Sequence, residues 1–142
     1  MAIYSLAQRT IVVAADAATW EVRTAASDAP RVVEISFSQV TAVAATIGLG
    51  RPAAIGDTPT SPVTFLAEDS ADPAATVTAC VAWGTPPTVP TAFFRRITCV
   101  AAIGAGVIWT FPRGLKIPIS NSIVLWVIAT APVLDAWAVI DE

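Results

Sequence analysis

Chemistry in this chain would have to come from very few side chains. Histidine is absent from its 142 residues, and the only lysine is Lys116. A nucleophile needs a histidine, lysine or carboxylate placed to act as its base. Lys116 lies in the alternating segment 115–118 and reads as a surface strand lysine. A glycosidase needs two carboxylates across a cleft. Asp16, Asp28, Asp57, Asp72 and Asp135 fall in turn-like stretches or at strand edges. Glu21 and Glu34 take outward positions on strands, where water would solvate them. No spacing pairs any two acids. The sequence therefore predicts no catalytic residue, no cofactor and no enzyme.

Metal sites are equally poorly supplied. The run Glu68-Asp69-Ser70-Ala71-Asp72 offers alternating oxygens of the kind Ca²⁺ takes. It lacks the EF-hand glycine and the closing bidentate glutamate, and Pro73 follows, so a solvated loop is expected. Two cysteines, Cys80 and Cys99, are too few for a disulfide scaffold. They read as two reduced, buried thiols, with a bridge between neighbouring strands as the alternative. Zinc would need two further ligands in a chain without histidine.

Ile47-Gly48-Leu49-Gly50 and Ile103-Gly104-Ala105-Gly106 share a pattern but follow no βαβ unit, and Pro52 sits where a helix would begin. Tight turns are expected at both. Trp20, Trp83, Trp109, Trp126 and Trp137 could stack on sugars, but each lies in an apolar strand and reads as core or interface.

Composition narrows the classes further. The chain is 55% hydrophobic and 13% charged, with net charge -3. A nucleic-acid binder would carry a clustered basic face, whereas Arg95-Arg96 is the only adjacent basic pair. The N-terminal residues lack the basic and apolar regions of a signal peptide. The most membrane-like run, 99–112, has 14 residues and contains Gly104 and Gly106. A span needs about 20 apolar residues, so a strand pair around a glycine turn is expected, not a membrane helix.

The elements that must position these residues are strands. Period-2 alternation or β-branched content marks 10–14, 20–24, 31–40, 76–83, 93–102, 107–111, 122–130 and 134–140. In 31–40, Val33, Ile35 and Phe37 share a face. Turn signals stand at 28–30, 48–56, 59–62, 72–73, 84–90, 112–114 and 131–132. The alanine-rich stretch 14–18 is too short for a helix. About eight strands in a single domain, 1–142, predict an all-β antiparallel sandwich. The connections 48–62 and 84–90 suit crossings between sheets and so a jelly roll.

The strand 122–130 is apolar on both faces: Ile123, Leu125 and Val127 against Val124, Trp126 and Ile128. One face of an antiparallel sandwich normally meets water. Such a strand is either central and covered or lines a subunit interface. Trp126, Val124 and Ile128, with Trp109 and Trp137, are therefore the expected oligomer interface.

The segment Gly106-Val107-Ile108-Trp109-Thr110-Phe111-Pro112-Arg113-Gly114-Leu115-Lys116-Ile117-Pro118, then Ser122-Ile123-Val124-Leu125-Trp126, a last strand ending Ile140-Asp141-Glu142, and the stretch Leu49-Gly50-Arg51-Pro52-Ala53 carry a resemblance. The chain resembles small jelly-roll virion proteins of tailed bacteriophages, loosely over most of its length and best over the last 40 residues. The resemblance implies a capsid decoration or cement protein, or a small head or tail component, commonly trimeric. It implies partners in the chain itself and in the major capsid protein or another virion protein; the charge and hydropathy read above predict no nucleic acid or membrane partner. It implies location in the virion after synthesis in the host cytoplasm. The rival expectation is a carbohydrate- or receptor-binding β-sandwich of a tail or head fibre.

Overall fold

The computed structural model describes residues 2–142, and among them are thirteen strands and no helix. They are β1 (Ile3–Arg9), β2 (Ala17–Arg23), β3 (Arg31–Gln39), β4 (Ala45–Pro52), β5 (Asp57–Pro59), β6 (Val63–Thr64), β7 (Leu66–Ala67), β8 (Thr78–Cys80), β9 (Trp83–Thr85), β10 (Pro90–Cys99), β11 (Gly106–Lys116), β12 (Ser122–Ala129) and β13 (Leu134–Asp141). A five-stranded sheet runs β11-β3-β13-β1-β7 and a six-stranded sheet runs β10-β4-β12-β2-β8-β6. β5 and β9 pair separately. Every pairing is antiparallel. The fold is all-β, consistent with a β-sandwich.

The two large sheets bury one common core. Tyr4, Leu6, Ile35, Phe37, Ala138 and Ile140 enter it from the five-stranded sheet; Trp20, Val22, Ile47, Leu49, Ile123 and Leu125 enter from the other. Alternation along each strand supplies these faces, because successive side chains point to opposite sides. Trp20 is fully buried, and its Nε1 donates to Gln8 Oε1 at 2.9 Å.

Several sequence expectations need correction. Residues 10–14 are not a strand; β1 ends at Arg9 and Thr10 closes it. The Thr10 amide donates to the Leu134 carbonyl, and its hydroxyl accepts from the Leu134 amide. The stretch 48–56 is not all turn, because its first part lies in β4, an inner strand between β10 and β12. Gly48 and Gly50 sit in that strand because β10 leans on it. A Cβ at Gly48 would stand 2.5 Å from Phe93 Cδ1, and one at Gly50 would stand 2.7 Å from Pro90 Cβ. The similar pattern at 103–106 does make a turn, with Gly104 at φ 84°. The two glycine pairs are thus not equivalent.

Residues 112–114 are no turn either. They form a bulge within β11, where pairing with β3 jumps from Thr110↔Glu34 to Leu115↔Val32. Proline is tolerated there because β11 is an edge strand, and Gly114 takes φ 67°. The irregularity skips Val33, so Val32 enters the core while Val33 is exposed. The segment 76–83 breaks after Cys80, and Trp83 joins β9. The run 99–112 is not the expected buried strand pair: only Cys99 belongs to β10, β11 begins at Gly106, the two strands lie in different sheets, and Val100 and Ile103 between them are exposed.

Candidate functional site

The densest polar constellation lies on the outward face of the six-stranded sheet, centred on Glu21. Trp20 and Val22 point into the core, so alternation turns Glu21 away from it. Glu21 is nevertheless fully buried, against the expectation that water solvates it. Gly56 and Trp83, from the connection 53–89, cover it there, and Trp83 belongs to the small sheet of β5 and β9.

The carboxylate is closed in by donors. Oε1 accepts from the Ser122 hydroxyl at 2.6 Å and the Gly56 amide at 3.1 Å. Oε2 accepts from Trp83 Nε1 at 2.6 Å and the Cys80 thiol at 3.6 Å. Arg23 Nη1 stands 3.6 Å from Oε2 and donates to the Gly56 carbonyl at 2.6 Å. Burial, then the neighbouring Glu21 charge, push the Cys80 thiol up to about 12. That thiol stays protonated and acts as a donor, not a nucleophile. A carboxylate with both oxygens engaged and no exposed surface has no free lone pair for a substrate proton. The arrangement can clamp β2, β8, β9 and β12 together.

Trp83 also helps cover the second face of β12. It packs with Ala18, Val124, Trp126, Phe93 and Ile128 in a small apolar cluster. The two-faced strand is therefore central and covered within one chain, one face in the main core and the other under this cluster. Of the five expected interface residues, Val124 is fully buried and Trp126 is 4% exposed. Trp126 Nε1 donates to Asp16 Oδ1 at 3.0 Å. Trp109 points into the core, its ring edge-on to Phe37 at 5.7 Å and 71°. Ile128 and Trp137 keep open surface. Trp137 lies on the outward face of the five-stranded sheet and donates from Nε1 to Glu34 Oε1 at 3.1 Å. The structure thus brings Val124, Trp126 and Ile128 together and sets Trp109 and Trp137 apart from them.

Cys80 and Cys99 are free and buried. β8 and β10 are separated by β2, β12 and β4, roughly 19 Å at the usual strand spacing, so they cannot bridge within a chain. Burial raises the Cys99 thiol as well. In the acidic run, Asp69 caps its own turn: its Oδ1 accepts from the Ala71 amide at 2.9 Å. Lys116 is exposed at the end of β11.

The surface is divided by charge. The loops 10–16, 40–44, 100–105 and 130–133 meet at one end, joined by bonds such as Gln39 amide to Ala105 carbonyl and Val40 amide to Val133 carbonyl. They contain a single charged residue, Asp16. Ile11, Val12, Val100 and Ile103 are exposed there, the last at 75%. The signal for this end was present in the sequence as apolar stretches with a single charge, but the fold was needed to bring them together.

No family model matches the chain, and neither the curated proteins nor the solved structures contain a match.

Proposed function

We propose that the chain is a non-enzymatic structural virion protein. In this reading it assembles as a homo-oligomer, a trimer by preference, and decorates or stabilises a phage capsid through the major capsid protein or another virion protein. The strand order supports a jelly roll. The eight strands of seven residues or more lie as β1-β13-β3-β11 in one sheet and β2-β12-β4-β10 in the other. The chain changes sheet at every step between them except from β4 to β10. Two Greek keys wound into a double sheet produce this order.

The observation that carries the functional reading is the apolar end with Ile11, Val12, Val100 and Ile103, whose loops hold one charge, Asp16. Gathered exposed aliphatics of this kind mark contact surfaces. The polar constellation at Glu21 is fully closed, so the surface, not a cleft, is what the molecule presents. The sugar-binding alternative has less to stand on. Trp20, Trp109 and Trp126 are buried, and the indole nitrogens of Trp83 and Trp137 are held by Glu21 and Glu34.

Particles lacking the protein test this reading. They should assemble yet lose their genome at lower temperature, because a protein that binds only the finished shell stabilises it by mass action. Particles of unchanged stability that fail to adsorb to the host would replace decoration with receptor binding.

A further inference from the structure

The two flanks of the molecule carry opposite charge. One flank consists of β10 and β11, the edge strands of the two large sheets. Arg95, Arg96, Arg113 and Lys116 are exposed on these strands. Arg51, on the adjoining β4, reaches the same flank and donates from Nη2 to the Lys116 carbonyl at 2.6 Å. These are five of the chain's eight cations. Two of them lie over aromatic rings: the Arg51 guanidinium is 4.9 Å from the Phe94 centroid, and that of Arg95 is 5.3 Å from Phe111. Stacking of this kind holds guanidinium planes in fixed positions.

The opposite flank consists of β7 and β6, the other edges of the same two sheets. Glu68 follows β7 directly, its amide donating to the Ile3 carbonyl at 2.9 Å. Glu68 and Asp69 are exposed in the turn that follows, and Asp72 is half-buried beside them. Asp72 also shares a shallow pocket with Asp28 and Glu142.

Charged edges are a common way to prevent strands from pairing with other chains. That purpose needs charge of either sign on each edge. It does not require cations on one flank and acids on the other. Strand addition is already obstructed by other means, since β6 and β7 have two residues each and β11 carries a proline and a bulge. Side chains, not backbone ladders, are what these flanks offer.

We infer that the Arg95–Arg96 flank of one copy docks on the Glu68–Asp69 flank of the next, head to tail. The inference rests on the homo-oligomer proposed above and identifies its surfaces. The occupant is a second copy of this chain because the matching acids are on the chain itself. A head-to-tail contact closes into a ring when its rotation divides a full turn and otherwise extends into an open filament. Arginine beside aromatic rings also suits single-stranded nucleic acid. The net charge of -3 disfavours that occupant, since the rest of the surface would repel phosphates.

Sedimentation of four full-length proteins tests the inference: the wild type, Arg95→Glu/Arg96→Glu, Glu68→Lys/Asp69→Lys, and the chain carrying all four changes. The sites are exposed, and circular dichroism verifies that each variant keeps the fold. At about 0.1 M salt the wild type should be oligomeric, and it should weaken towards 1 M as the screening length falls from about 10 Å to 3 Å. Each two-site reversal should weaken association at least tenfold. The four-site variant should recover to within a few-fold of wild type, because the charges match again with their signs exchanged. An oligomeric wild type whose reversals associate as tightly as it does would overturn the flank assignment and leave the oligomer standing. Reversals that weaken association without recovery in the four-site variant would also overturn it. A monomeric wild type at low salt would overturn both. Binding of a labelled oligothymidine, abolished by Arg95→Glu/Arg96→Glu in such a monomer, would identify nucleic acid as the occupant instead.

Discussion

Trp83 Nε1 reaches Glu21 Oε2 at 2.6 Å, joining residues 62 positions apart and tying β9 to the centre of the six-stranded sheet. Through this bond the end of the segment 76–83, which alternation reads as one continuous strand, becomes a lid over a buried carboxylate. Removing one partner of such a set leaves the others without hydrogen bonds, which costs more than the bonds themselves contribute.

Glu21→Ala strands the Trp83, Ser122 and Gly56 donors and should lower unfolding free energy by about 3–5 kcal/mol. Trp83→Phe removes one charge-assisted bond and should cost about 1.5–3 kcal/mol. The double variant should lose less than the sum, because the same bond is lost in both. Urea unfolding followed by fluorescence measures all three, and strict additivity would remove Trp83 from the clamp.

Stability should fall in alkali through Cys80. Its folded pKa is raised to about 12, chiefly by burial and then by Glu21. A raised pKa contributes stability that is complete below the unfolded value, about 8.5, and is lost as pH rises towards the folded one. Between about pH 9 and 11 the wild type should lose up to ~1.4 kcal/mol per pH unit more than Cys80→Ala does. Parallel stability profiles for the two proteins would contradict this.

Thiol titration should find two reactive groups per chain in denaturant without reductant and almost none in the native protein. Both sulfurs are buried, and burial holds both protonated.

Trp126 and Trp137 should respond differently to the same change. Trp126 is covered within the chain and bonded to Asp16, so Trp126→Asp should unfold the monomer, at a cost above about 3 kcal/mol. Trp137 is half-buried on an outward face, so Trp137→Asp should leave a folded protein. Circular dichroism on both variants checks this, and a folded Trp126→Asp protein would show that the cluster around β12 is dispensable.

Gly48→Ala tests the close approach of β10 to β4. The added methyl meets the Phe93 ring, and overpacking of this kind costs about 1–3 kcal/mol. Phe93→Leu in the same chain should recover part of the loss.

What the sequence conveys follows from the range of its signals. Alternation is local, so the strands around Ile35, Trp126 and Trp137 are legible within a residue or two. β4 is not legible, because glycine weakens any strand pattern and the reason for Gly48 is Phe93, 45 positions later. Parity puts Val33 on one face with Ile35 and Phe37, and a bulge set by pairing with β11 and β13 takes it off that face. Glu21 was placed correctly on the outward face. Its burial depends on Trp83 and Gly56 arriving from a distant connection, and no spacing near Glu21 encodes that. The cations on β10 and β11 looked scattered for the same reason: only sheet order places Arg51 beside Phe94 and Lys116.

The pairing of β1 with β13 runs in register from Ile3↔Asp141 to Arg9↔Asp135. On the ribosome the first of these strands emerges more than a hundred residues before its neighbour in the sheet. Tyr4 and Leu6 therefore stay exposed as synthesis proceeds, and the five-stranded sheet cannot close until β13 has been made. Pairing between such distant segments folds slowly and leaves aggregation-prone intermediates. Yield in the cell should therefore depend on temperature and chaperone supply more than the final stability would suggest.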